Sequence, residues 1–173
     1  VLGIAGCTAL LLTGFGLRDS IHDIVDKQFG EIYKYNLSVY VKDGQTAQTD
    51  AVIQDVLTGE AVSSHALFHY ESGSVKNGGK SEKVNIFVPQ ETAQLKEQFT
   101  LRERRSGADI PFGEDSLILT EKTCEQLGVQ AGSQVTLQNA DGKKATFTVS
   151  AVTENYVAGY AFISSGTYQA AFG

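Results

Sequence analysis

Methionine and tryptophan are absent from these 173 residues, cysteine and proline occur twice each, and histidine three times. Each scarcity closes off a class of explanation. Cys7 sits in an apolar run and Cys124 far away in a polar helical pattern, so they form no disulfide framework, and neither has a metal-ligand spacing. Three histidines leave little material for zinc or acid–base chemistry. Positive charge is also short: 14 Lys and Arg stand against 20 Asp and Glu, a net charge of -6 with a pI near 5.0. The one basic cluster, Arg102, Arg104 and Arg105, is interleaved with Glu103 and reads as a solvated edge strand or turn. Nucleic acid and an anionic lipid surface are therefore excluded as the main ligand, since both select for clustered Lys and Arg. With 42% hydrophobic and 20% charged residues the chain is no disordered segment, and its length suits one core with a minor subdomain.

What is present begins at the N-terminus. Seventeen uncharged residues, VLGIAGCTALLLTGFGL, run without proline or turn signal into Arg18-Asp-Ser-Ile-His-Asp-Ile-Val-Asp-Lys-Gln-Phe29. At 100° per residue Leu17, Ile21, Ile24, Val25 and Phe29 fall within one arc, with Asp19, Asp23, Asp26 and Lys27 opposite. The pattern predicts a membrane helix continuing as a rigid amphipathic stalk, with Asp23 and Lys27 as an i,i+4 pair. The apolar part spans about 26 Å as a helix against a hydrocarbon core of roughly 30 Å, so part of the span is expected to be missing. Val1 has no basic region before it and no small-residue cleavage site after it, which fits a fragment of a larger membrane protein better than a signal peptide. The competing reading is a buried core helix, although its glycines and unbroken apolar perimeter suit lipid better.

Beyond the stalk, Leu37 to Val41 alternates like a strand, Thr46 to Gly59 reads as a helix, and Ala66 to Tyr70 as a second strand. A glycine-rich turn, Gly73 to Gly79, leads to a strand at Val84 to Val88, after which Pro89 opens a short helix through Leu95 to Phe99. Shorter strands follow at Phe99 to Glu103, Leu117 to Leu119, Val135 to Gln138 and Ala145 to Val152, around one helix, Glu121 to Leu127, closed by Gly128. Asn139 to Lys143 is a hairpin signal, and a strand at Tyr160 to Ile163 precedes a last helix, Ser165 to Phe172. The expected fold class is α+β. Residues 1–30 form membrane end and stalk, 31–99 with 153–173 an α/β sandwich subdomain of β-α-β-β-α order plus the final strand and helix, and 100–152 an inserted β-rich subdomain.

The order of an apolar helix GIAGCTALLLTGFGL, an α/β segment, SLILTEKTCEQLGVQAGSQVTL, GKKATFTVSAVTENYV and YAFISSGTYQAAFG resembles the extracytoplasmic core domain of FtsX-like and MacB-like ABC transporter permeases. The most specific phrases lie at Thr120 to Leu137 and at Glu154 to Val157. The resemblance implies a domain on the extracytoplasmic side of the cell membrane, after the first membrane helix of a permease. Its partners would be a cytoplasmic ABC ATPase, reached through the rest of the permease, and a second permease protomer or half. It also implies a mechanical role, carrying ATP-driven motion to a peptide, lipid, lipoprotein or partner protein without catalysis or cofactor. An exported domain lacking a disulfide would suit a bacterium that does not staple such proteins.

No enzyme constellation in the sequence is complete. On a strand His65 and His69 lie about 13 Å apart, too far for one zinc ion, although a helix would bring them to ligand spacing. Gly73 to Ser81 has the look of a phosphate loop with one residue too many and a strand after it, so it reads as a solvated hairpin tip. Glu114 and Asp115 follow Gly113 in a turn without a desolvating pocket, and Ser164-Ser165-Gly166 reads as a helix N-cap. No catalytic, cofactor-binding or metal-ligating residue is therefore assigned. Tyr33 and Tyr35 above the stalk, and Tyr156 and Tyr160 near the chain's end, are candidate partner contacts, with ordinary packing as the alternative. A membrane-anchored sensor or ligand-binding module is the alternative function, and flanking membrane spans would separate the two.

Overall fold

The computed structural model describes residues 2–41 and 50–173. Its first element is α1, Leu2–Asp26, a continuous helix of 25 residues, about 38 Å long. Its described side chains are exposed throughout, including the expected stalk face from Leu17 to Phe29, so it is not the buried core helix considered as the alternative. The run Gly3–Ile32 is long and apolar enough to cross a membrane. Hydroxyls within it turn back onto their own helix: Thr8 donates to the Ile4 carbonyl, Thr13 to Ala9 and Ser20 to Gly16, at 2.8–3.0 Å. Such internal bonding lets polar side chains sit in an apolar rod without an unsatisfied group. On the stalk His22 lies 3.7 Å from Asp26, both well exposed, a polar contact that becomes an ion pair only with His22 protonated, and it stands in place of the expected Asp23 with Lys27. Exposure on this scale makes it a weak contact.

Seven strands form one mixed sheet in the order β5-β4-β1-β2-β7-β3-β6. They are β1 Phe68–Asn77, β2 Lys80–Pro89, β3 Leu117–Thr120, β4 Gln134–Gln138, β5 Lys144–Thr148, β6 Ala151–Thr153 and β7 Tyr160–Ile163. The hairpin of β1 and β2 is antiparallel, β7 pairs parallel to β2, and β3 joins antiparallel β7 to parallel β6. The central strands are buried on both faces, which is why β3 reads as an uninterrupted apolar LIL. One face carries Val84, Ile86, Leu117, Leu119, Leu137 and Ile163 against Cys124 and Leu127 of α4, Glu121–Leu127, and Phe172 of α5, Ser165–Phe172. Burial pushes the Cys124 thiol up to about 12, so it behaves as a small apolar residue. The other face carries Ile118 and Phe162 under Leu95, Phe99, Leu101, Ile110 and Phe112, and Tyr33 and Tyr35 at the foot of the stalk join this second cluster. The mixed α+β architecture is the one expected.

Several expectations change. Leu37 to Val41 pairs with no described strand; Leu37 and Val39 are 79% and 69% exposed, so their alternation faces solvent, while Tyr40 packs on Tyr70. The expected helix from Thr46 is described only as α2, Ala51–Leu57, with Asp50 capping Val52 and Ile53; its expected start at 46–49 lies outside the described residues. The helix closes on Thr58 as its C-cap, one residue short of the expected end at Gly59. The supposed turn from Gly73 is strand as far as Asn77, and the chain reverses at Gly78-Gly79. Gly73 is required by crowding: a Cβ there would lie 2.5 Å from both the Gln138 carbonyl oxygen and Ile86 Cδ1. Phe99 to Glu103 forms only isolated bridges, Tyr33 with Phe99 and Arg102 with Asp109. The helix after Pro89 begins as a 3₁₀ turn at Thr92–Gln94 and becomes the single turn α3, Leu95–Gln98. The expected strand 145–152 breaks between β5 and β6, where Val149 bonds back to Ser133 and Ser150 to the Leu117 carbonyl. By contrast α4 ends on Gly128 at φ 68°, and β7 and α5 lie where expected.

Candidate functional site

The foot of the stalk is where the sequence pattern and the tertiary structure meet most consequentially. After Asp26 the helix widens into a π-helical segment, Lys27–Ile32, in which the Tyr33 amide donates to the Gln28 carbonyl five residues back at 2.9 Å. Gln28 is fully buried. Its Nε2 donates to Asn155 Oδ1 at 2.8 Å, and its Oε1 accepts from the backbone amides of Tyr156 at 2.8 Å and Val157 at 3.2 Å. Asn155 uses its own amide nitrogen to hold the carbonyls of Val157 and Ala158 at 2.7 and 2.8 Å. The ENYV phrase is thus a socket shaped to take one stalk glutamine.

A second tie is ionic. Arg102 Nε donates to Glu154 Oε2 and its Nη2 to Glu31 Oε2, both at 2.6 Å, so one guanidinium joins the end of the stalk to the socket. Glu154 is almost wholly buried, while Glu31 is half exposed. Burial alone would raise the Glu154 pKa, but bonds from the Tyr156 hydroxyl and Arg102 outweigh it and hold the carboxyl below its ordinary value. Burial and that same bond push Tyr156 up to about 12. Backbone bonds complete the seam: Thr100 donates to Ile32 at 2.8 Å, Lys34 to Gln98 at 3.0 Å, and the Thr100 hydroxyl to the Glu31 carbonyl at 2.7 Å.

Of the tyrosines singled out from sequence, Tyr33, Tyr35 and Tyr160 come together and Tyr156 stands apart on Glu154. The hydroxyls of Tyr33 and Tyr160 lie 2.8 Å apart, and Tyr33 packs edge-on against Phe99 and stacks on Tyr35. Burial first, and the Tyr160 hydroxyl second, raise the Tyr33 pKa. Sequence reasoning missed Gln28, Arg102 and Asn155. Arg102 is not the solvated charge that its place in a basic cluster suggests; only Arg104 and Arg105 of that cluster are exposed. Arg104 pairs with Glu121 at 2.7 Å, and Glu103 accepts the Arg105 and Ser106 amides in a tight turn.

The enzyme-like candidates remain scattered. His69 lies on β1, 3.5 Å from Glu71 and against the Tyr168 ring, and no group of three or more His, Cys, Asp or Glu is placed to hold a metal among the described residues. Glu114 and Asp115 edge an open groove of about 420 Å³ floored by Phe147, Ala170 and Ala171. Glu114 accepts from Thr92 at 3.0 Å, and Ser164 and Thr167 donate to its backbone carbonyl, which fixes the start of α5.

With an exposed apolar rod socketed into a mixed sheet, the whole chain, residues 1–173, matches the family described as MacB-like periplasmic core domain. The chain belongs to that family. Among solved structures, this MacB-like domain is similar to the extracellular domain of the noncanonic ABC-type transporter YknZ from Gram-positive bacteria. There the identity is 11% and the TM-score 0.47, over 77% of this chain and 74% of that one. It is also similar to the periplasmic region of MacB from Actinobacillus actinomycetemcomitans, with 15% identity and a TM-score of 0.43, over 69% of this chain and 56% of that one. No curated protein sequence matches closely enough to count as a relative. MacB-like core domains are components of ABC transporters, and the expected family is the one found.

Proposed function

We propose that the chain is the extracytoplasmic domain of an ABC transporter permease subunit, standing on the end of a membrane helix and passing ATP-driven motion to a peptide, lipid, lipoprotein or partner protein. The ATP would be hydrolysed by a separate cytoplasmic subunit, and this domain would perform no chemistry. The observation that carries the reading is the joint. A lever needs defined positions where it meets its load, and the stalk enters the head through a fully buried glutamine and a two-way guanidinium bridge rather than a freely flexing Gly/Ser linker. The helix leading into it is uninterrupted for 25 residues, so rotation or translation at the membrane reaches the joint undiminished. Tyr33, Tyr35, Tyr156 and Tyr160 are all half-buried and keep surface for a second permease protomer, while Tyr33, Tyr35 and Tyr160 also pack on the second core cluster.

The test is a flexible insert, Gly-Ser-Gly-Ser, between Asp26 and Lys27 of the full-length permease reconstituted with its ATPase. ATP hydrolysis is expected to persist while transport falls at least about tenfold, because a flexible segment absorbs rotation. Unchanged transport would refute the lever. A chain that neither copurifies with an ATPase nor supports transport would be a membrane-anchored sensor instead.

A further inference from the structure

Two sparsely populated backbone conformations face each other across the buried Gln28–Asn155 bond. On the stalk side is the π-helical segment Lys27–Ile32, which holds one residue more per turn than the α-helix feeding it. On the head side Ala158 is the one non-glycine residue with positive φ among those described, at 62°, a left-handed conformation that an L-residue adopts at a cost. Asn155 holds that conformation by donating to the Val157 and Ala158 carbonyls while it accepts from Gln28. Neither conformation is demanded by its own sequence. Lys27 to Ile32 can pair as an α-helix, and Ala158 favours φ < 0.

We infer that the Gln28–Asn155 pair is the latch of a two-state joint, in which release lets Lys27–Ile32 relax to α-helical pairing and turns the stalk by one residue step against the head. The step is about 100° of rotation and 1.5 Å of rise. Its pivot stays attached in both states, because Ile32, Tyr33 and Lys34 are held to Phe99, Thr100 and Gln98 by backbone bonds downstream of the latch. The Arg102 bridge to Glu31 lies on the same downstream side and travels with the head. Strain stored on both sides favours release, and the three bonds made by one buried amide oppose it. The lever reading supplies only the source of force; the latch is a property of the chain without nucleotide or ATPase.

The test is therefore a distance measurement on the intact chain in lipid nanodiscs, with nitroxides at Asp19→Cys on the stalk and Lys122→Cys on α4 in a Cys7→Ser background. The unaltered joint is expected to give one narrow distance. Gln28→Leu should add a second distance that the unaltered joint does not show, because it removes all three latch bonds. Placing Ala158→Gly on top should lower that second population about fivefold, since glycine removes the strain that release relieves. Deleting Gly30, which is exposed and has no neighbour within 4 Å, removes the surplus residue and should return a single distance even with Gln28→Leu. If Gln28→Leu does not fold, Asn155→Ser reads the same latch from the other side. A folded variant of either kind that keeps only the original distance overturns the latch, as does an Ala158→Gly change that leaves the second population untouched. None of these outcomes bears on whether the permease transports, so the two readings can fail separately.

Discussion

Replacing Phe99 by alanine is expected to destabilise the chain by about 4 kcal/mol. Phe99 is 2% exposed. Its ring meets Tyr33, Tyr35, Phe68, Phe87, Tyr160 and Phe162 at centroid separations of 5.2–6.4 Å, so its removal opens a cavity that six aromatic rings cannot close together. Tyr33 and Tyr35 belong to the foot of the stalk, and so the damage should reach the joint. Hydrogen exchange at the Lys34 and Thr100 amides, which bond to Gln98 and Ile32, should accelerate more than at the Ile86 amide on the far face. Phe99→Leu keeps most of the volume and should cost less than half as much. Equal losses for alanine and leucine would show that the ring is not the organiser of this face.

Arg102→Met should cost about 3 kcal/mol, lowering the melting temperature by roughly 6–12 °C for a chain of this size. The reason is the partner left behind. Glu154 is 4% exposed, and without the guanidinium its carboxylate stays buried with the Tyr156 hydroxyl bond and the charge of Lys27 to stabilise it. Adding Glu154→Gln should restore more than half of the loss, since a neutral amide needs no counter-charge, and the resulting coupling measures the pair directly. The same pair sets a pH dependence. Glu154 has its folded pKa below the ordinary 4.5, so its stabilisation is complete above about pH 5 and is lost as pH falls through the lower folded value. The double variant should lack that acid-side decline. A melting temperature that falls identically with acid in both proteins would place the titration elsewhere.

The parts of the fold that were legible from sequence are those whose causes are local. Leu117 to Gly128 is a short apolar strand, an amphipathic turn of helix and a glycine whose φ of 68° no other residue adopts as cheaply, and each sign lies within a few residues of what it specifies. The apolar rod is of the same kind, since its composition dictates its surroundings. Where local signs failed, the cause was distant. Gly73 looks like punctuation, but it is a strand residue made glycine by the Gln138 carbonyl on the neighbouring strand. Leu37 to Val41 alternates correctly for a strand, yet alternation supplies no edge to pair with.

An apolar helix running without a break into a mixed α+β head of an ABC transporter family is readable from the chain alone, because hydropathy, periodicity and the order of phrases are local properties of the residues. How rod and head are joined emerges only once the chain has folded. Gln28 meets Asn155 across 127 positions and Arg102 meets Glu154 across 52. A polar side chain on a helix or in a basic cluster carries no mark of the partner it will be buried against. That pairing comes into being when the sheet closes and removes both groups from water, where leaving either one unmatched would cost more than the contact itself contributes.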